Sequence, residues 1–154
     1  MPNSAKCRNR RGITAKLDDF MFRRQKILLA LLEQFDGELG RTQLQKLLFL
    51  YGQQAEDPVY EFVPYKYGCY SFQTHADKQK LTEQGLLSDS ERWQLTTCSG
   101  TTYRGLLGYK ERKALWLLQK QFGKYSRDDL TRHVYATVSL LCYAQCHCRR
   151  PAFA

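Results

Sequence analysis

Residues Thr42 to Phe72, TQLQKLLFLYGQQAEDPVYEFVPYKYGCYSF, decide the fold of this chain. Leu44, Leu47, Leu48 and Tyr51 recur at i, i+3, i+4 and i+7, which puts them on one face of a helix. Thr42 with Gln45 three residues on has the spacing of a capping box, so the helix is expected to open there. After Asp57-Pro58 the periodicity stops. Val59 to Tyr67 is rich in Val, Tyr and Phe, types suited to a pleated, half-buried surface. Pro64 cannot donate to a ladder, so this stretch predicts an edge or kinked strand.

Upstream, Asp18 or Asp19 is placed to cap a first helix. Phe20, Ile27, Leu28, Leu31, Leu32 and Phe35 follow at helical spacing, and Asp36-Gly37 is the stop. Downstream, Ser71 caps a third helix, Phe72 to Gln84, ended by Gly85. Its apolar seam is thin, Phe72, Ala76 and Leu81, which leaves a broad polar face. Leu86-Leu87, the polar Ser88 to Glu91 and Arg92 to Thr96 predict strand, turn and strand. A fourth helix is expected over Leu106 to Phe122, with Ala114, Leu115, Leu118 and Phe122 inward. Ser126 with Asp129 caps a fifth, which carries Leu130, Val134, Val138 and Leu141.

The expected class is therefore mainly α with a small antiparallel β wing (α+β), in one domain over 18–141. Residues 1–17 form a basic arm and 142–154 an irregular tail rich in Cys and Arg. At 154 residues one domain with a real core is the natural size. A hydrophobic fraction of 43% argues for a folded chain. The net charge of +9 is concentrated at the ends. Lys6, Arg8, Arg10, Arg11 and Lys16 precede Asp18, and Arg149 and Arg150 lie near the other end. With those seven of the 24 bases set aside, 17 face 15 acids. A basic arm can bind phosphate, or it can be a solvated terminus.

No segment is long and apolar enough to span a bilayer or to act as a signal peptide, so no membrane partner and a cytoplasmic location are expected. The six cysteines are then reduced thiols. Phosphate-binding glycine loops, nucleophile elbows and zinc-protease helices are missing, so no catalytic residue and no enzymatic activity are expected. Cys142, Cys146, His147 and Cys148 have ligand chemistry, but a structural zinc site joins two separated pairs. No metal and no cofactor are expected.

The order helix, turn, helix, short strand, helix and two-stranded wing is that of a winged helix-turn-helix domain, here extended by two C-terminal helices. Leu81, Gly85, Leu86, Leu87, Trp93, Leu95, Thr96 and Gly100 resemble the end of the third helix plus wing of bacterial winged-helix regulators. The stretch QKLLFLY…FVPYKYGCYSF resembles, more distantly, the Panacea antitoxin domain of toxin–antitoxin and phage-defence loci. It departs from that pattern at Cys69, where proline is usual. The resemblance implies a non-enzymatic DNA-binding module in bacterial regulation or defence, with homodimerisation open. Its contacts would be Lys6, Arg8, Arg10 and Arg11 on the arm, Gln73, Thr74, Lys78 and Gln79 on the third helix, and Arg92 on the wing. The alternative is an antitoxin-like protein-binding module that docks a toxin or effector through Tyr65, Tyr67 and Tyr70.

If DNA is bound, deleting residues 1–17 is expected to weaken binding and flatten the slope of log K against log salt, since five of the surplus charges lie there. A gel shift at two salt concentrations measures both, and an unchanged slope excludes the arm.

Overall fold

Ile27 to Leu32 are six consecutive fully buried residues, all at 0% exposure. A helix that is apolar all round belongs in the middle of a core. That helix is α1 (Arg23–Gln34), and its apolar run lies within the hydrophobic core. The computed structural model describes residues 21–56, 59–65, 68–96 and 103–148, with side chains described outside 64, 65, 68 and 138–148. Asp18 and Asp19, the expected caps, lie outside these residues. Helix α1 begins after them, and the Gln25 side chain accepts the Phe22 N–H at 3.1 Å in a cap's role. Its end is as expected. Asp36 and Gly37 both take positive φ, 64° and 81°, and the Gly37 N–H closes on the Leu32 carbonyl at 2.7 Å.

After Gly37 comes a strand, β1 (Glu38–Gly40), which runs straight into α2 (Arg41–Ala55). The Thr42–Gln45 box does not form. Helix α2 starts at Arg41, and Gln43 instead caps by accepting the Gly40 N–H at 3.2 Å. Gln45 is buried and used elsewhere. Its amide donates to the Ser71 carbonyl at 3.2 Å and accepts the Ser71 N–H at 3.0 Å. Leu44, Leu47, Leu48 and Tyr51 face the core as the periodicity requires.

The expected single strand over Val59 to Tyr67 is instead a hairpin. Strand β2 (Val63–Tyr65) pairs antiparallel with β3 (Gly68–Tyr70), Pro64 opposite Cys69. A two-stranded sheet has only edges, so the proline is tolerated. Helix α3 (Phe72–Glu83) follows, with the Ser71 hydroxyl accepting the Thr74 N–H at 3.4 Å. Gly85, at φ 73°, turns the chain into β4 (Leu87–Asp89) and β5 (Arg92–Leu95). Strand β1 completes an antiparallel sheet in the order β1-β5-β4, with Leu39 opposite Trp93 and Asp89 opposite Trp93 on its other side.

The expected fourth helix is split. A 3-10 turn (Tyr103–Leu106) buries Tyr103 completely, and the Arg104 guanidinium reaches the Gln34 side chain at 2.8 Å. Helix α4 (Tyr109–Phe122) starts after Gly108, whose N–H the Glu111 carboxylate accepts at 3.0 Å. It is tied to α1 by the Gln119 amide, which donates to the Gln34 carbonyl at 2.8 Å. Helix α5 (Arg127–Cys148) opens on the expected Ser126–Asp129 pair, with the Asp129 N–H 3.2 Å from the Ser126 hydroxyl. It runs on through the segment from Cys142 that was expected to be irregular. The sequence has no Gly or Pro there before Pro151, so nothing stops the helix.

Mainly helical structure with a small antiparallel sheet is thus the observed class. Gln45→Leu keeps the bulk of the side chain but leaves a buried N–H and a buried carbonyl of Ser71 without partners. Urea unfolding should register a loss of about 2–4 kcal/mol. A change below roughly 0.5 kcal/mol, the scale of an ordinary surface substitution, would remove the structural role given to this amide.

Candidate functional site

Three residues of the polar face expected on α3 are turned inward, while His75, Gln79, Lys80 and Glu83 stay exposed. Thr74, Asp77, Lys78 and Leu81 form its buried stripe, at i, i+3, i+4 and i+7. Phe72 and Ala76, expected in the seam, are exposed, Phe72 to 64%. The reason is Asp77, which is fully buried and fully answered. Arg24 Nε approaches one carboxylate oxygen at 2.6 Å, and an Arg24 terminal nitrogen reaches the other at 3.2 Å. The Gln25 amide donates at 3.2 Å. The Tyr60 hydroxyl lies 3.1 Å from both the carboxylate and the Arg24 carbonyl, with one proton to give. Burial beside this carboxylate pushes the Tyr60 phenol well above its ordinary pKa.

Lys78 is the second inward charge. Its ammonium meets Asp89 at 2.6 Å and sits 5.6 Å from the Trp93 ring centroid, so it joins α3 to the sheet. Of the other residues expected at DNA, the Thr74 hydroxyl is buried without a hydrogen-bond partner. Gln73 accepts the Glu61 N–H at 3.1 Å. Gln79 is exposed, with its amide 3.5 Å from Glu83. Arg92 is exposed and paired with Glu38 at 2.7 Å. Lys6, Arg8, Arg10 and Arg11 lie outside the described residues. The structure therefore brings Thr74 and Lys78 together as interior groups and leaves Gln79 and Arg92 at the surface.

The aromatic run divides too. Phe62 packs edge-on against Phe49 of α2 at 5.5 Å, and both α2 and α5 contact strand β3 of the hairpin. Tyr70 is half-buried and stacks edge-on against the exposed Phe72 at 5.0 Å. Tyr65 lies in β2, its side chain outside the described ones, and Tyr67 is outside the described residues altogether.

Between β3, α2 and the sheet lies a cavity of about 290 Å³. Cys69, Tyr70 and Trp93 supply apolar wall, while Arg41, Lys46, His75 and Lys78 bring positive or titratable groups to it. Lys46 is 1% exposed, and its pKa is lowered by burial. Burial likewise pushes the Cys69 thiol up to about 11, so at neutral pH it is a protonated, weakly nucleophilic group.

The open cationic surface is on α4. Tyr109, Lys113, Trp116 and Lys120 stand at i, i+4, i+7 and i+11, centred on the side away from the buried Ala114, Leu115, Leu118 and Phe122. Arg112 flanks them. Tyr109 is 73% and Trp116 52% exposed, and the Lys120 ammonium lies 5.0 Å from the Trp116 ring centroid. The helix has one acid, Glu111, and that is turned aside to Arg23 at 2.5 Å. Sequence spacing alone carried this signal, because a face with two aromatics, two lysines and an arginine has no core-forming content.

Among the described residues no group of His, Cys, Asp and Glu could hold a metal ion, and the side chains of Cys142, Cys146, His147 and Cys148 lie outside them. No helix searched among the described residues is long and apolar enough to cross a membrane. Compared with protein-family models, with curated proteins and with solved structures, the chain finds no match.

The hydrogen bond from Lys78 holds the Asp89 carboxyl below its ordinary pKa. The stability this pair contributes is present above the unfolded carboxylate value of about 3.9 and is lost as the pH falls through the depressed folded value. Asp89→Asn should cost about 1–2 kcal/mol at pH 7, less than a fully buried pair because Asp89 is partly in solvent. Its acid limb should also be flatter than the parent's. Equal stability at pH 7 and an unchanged acid limb would contradict the pairing.

Proposed function

We propose that this chain is a non-enzymatic DNA-binding module of winged-helix type, of the kind used in bacterial regulation or defence in the cytoplasm. The outer face of α4 is its main phosphate-contacting surface. The observation that carries this is the row Tyr109, Lys113, Trp116 and Lys120 with Arg112 beside it, exposed and with no acid in the row. Lysine and arginine neutralise phosphates, and exposed Tyr and Trp pack against sugar and base surfaces. The element order supports the winged-helix reading. Strand β1 lies between α1 and α2 and adds to the β4–β5 hairpin that follows α3. The resemblance of residues 81–100 to bacterial regulators supports the same class. Within this reading α3 contributes Gln79, while Thr74 and Lys78 hold the helix in place.

The test is a gel shift over a range of salt. Arg112→Ala, Lys113→Ala and Lys120→Ala together should weaken binding across DNA sequences. They should also flatten the slope of log K against log salt by about 2–3, near 0.9 for each lost phosphate contact. Lys78→Met should leave the slope unchanged in any variant that stays folded. A triple variant with the parental slope would refute the α4 surface.

The exposed Phe72 beside Tyr70 favours a second reading, the antitoxin-like docking of a protein partner along the hairpin edge. In that case Phe72→Ala abolishes partner capture and the α4 substitutions leave it intact.

A further inference from the structure

The outer row of α4 carries more than a phosphate contact needs. Tyr109, Lys113, Trp116 and Lys120 alternate ring and ammonium along one helix face. Phosphates are met by the cations alone. A single exposed ring is ordinary on a protein surface. Here two rings share one row, both exposed, and each is followed four residues on by a lysine. The Lys120 ammonium lies 5.0 Å from the Trp116 ring centroid, yet Trp116 stays 52% exposed. Within a duplex the base faces are covered by the stack. Only the edges show in the grooves, where paired hydrogen bonds read them. Tyr and Trp offer a flat face and one polar atom each, so what they meet flat-on is a base that has left the stack.

We infer that the outer face of α4 takes an unpaired DNA strand, with bases stacked on Tyr109 and Trp116 and phosphates answered by Lys113, Lys120 and Arg112. This rests on the DNA-binding reading of α4 and names the form of DNA that the face takes. From Tyr109 to Trp116 the helix rises about 10.5 Å. That is roughly three steps of a stacked strand at about 3.4 Å each, so the two rings meet different bases of one strand. Lys113 lies between them and Lys120 beyond. The whole row covers on the order of five nucleotides, within the range of single-strand sites. Glu111, the acid of this helix, is turned aside to Arg23 and does not oppose the strand.

A labelled oligo(dT) and a duplex of the same length, each about 15 residues long, are compared by fluorescence anisotropy at the same salt concentration. The single strand should bind at least about tenfold tighter. Tyr109→Ala and Trp116→Ala should each weaken oligo(dT) binding by at least about fivefold and leave duplex binding within about twofold. Trp116→Phe keeps a flat ring and should restore most of the loss. Lys113→Ala with Lys120→Ala should weaken binding to both DNAs. All four positions are exposed, so the core does not feel these changes. A second readout is intrinsic emission. Oligo(dT) should quench it, and Trp116→Phe should abolish the quench, because the other of the two tryptophans, Trp93, is buried.

Three results overturn the unpaired strand: duplex binding as tight as the single strand's, oligo(dT) binding indifferent to both ring substitutions, or undiminished emission at saturating oligo(dT). The DNA-binding reading of α4 survives them if the double lysine variant still weakens duplex binding. If that variant binds both DNAs as the parent does, or the parent binds neither, the two readings fall together.

Discussion

A buried carboxylate fixes the rotation of α3, and most of what is distinctive in this fold follows from it. Asp77 of α3 is held by Arg24 and Gln25 of α1 and by Tyr60, which ties three segments together. The pair with Arg24 is close to bidentate, a geometry that specifies angle as well as distance. Removing one partner of such a buried pair typically costs about 3–5 kcal/mol, because the other is left uncompensated. With Asp77 inward, helix geometry forces Thr74, Lys78 and Leu81 inward too, and turns Phe72, His75 and Gln79 out.

The inward turn of Lys78 links that constraint to the sheet. Its stem packs near Trp93 and its ammonium reaches Asp89, so the helix and the β4–β5 hairpin are fastened at one point. The Gln45–Ser71 amide pair fastens the start of the same helix to α2. A helix held at its start, its middle and across to the wing is a rigid platform. Lys78 is spent on that rigidity, while Arg112, Lys113 and Lys120 stand exposed on α4. Two aromatic rings accompany them there, which a merely solvated charged face does not need.

Features governed by near neighbours in the chain are legible from the sequence. The Leu44–Tyr51 face, the Asp36-Gly37 stop, the Ser71 cap, Gly85 and the Ser126–Asp129 pair each depend on residues within about a turn of one another. Features that depend on a distant partner are not. Gln45 has the right spacing to cap its own helix, yet its amide is claimed by Ser71, 26 residues on. Asp77 and Lys78 have the pattern of a solvated face, because three of the four residues in the buried stripe are polar and their partners are remote. The β2–β3 hairpin is hidden for a related reason. Its strands are three residues each, and no Gly-Pro or Asn-Gly turn separates them.

Lysine acetylation with and without DNA, resolved by mass spectrometry, tests the central claim directly, since one experiment reports both the interior and the surface. Lys78 should be unreactive in either state, because its ammonium is buried against Asp89. Lys113 and Lys120 should react readily in the free protein and be protected by DNA. Free labelling of Lys78 with protection by DNA, and unchanged labelling of Lys113 and Lys120, would contradict the account and return the contact surface to α3.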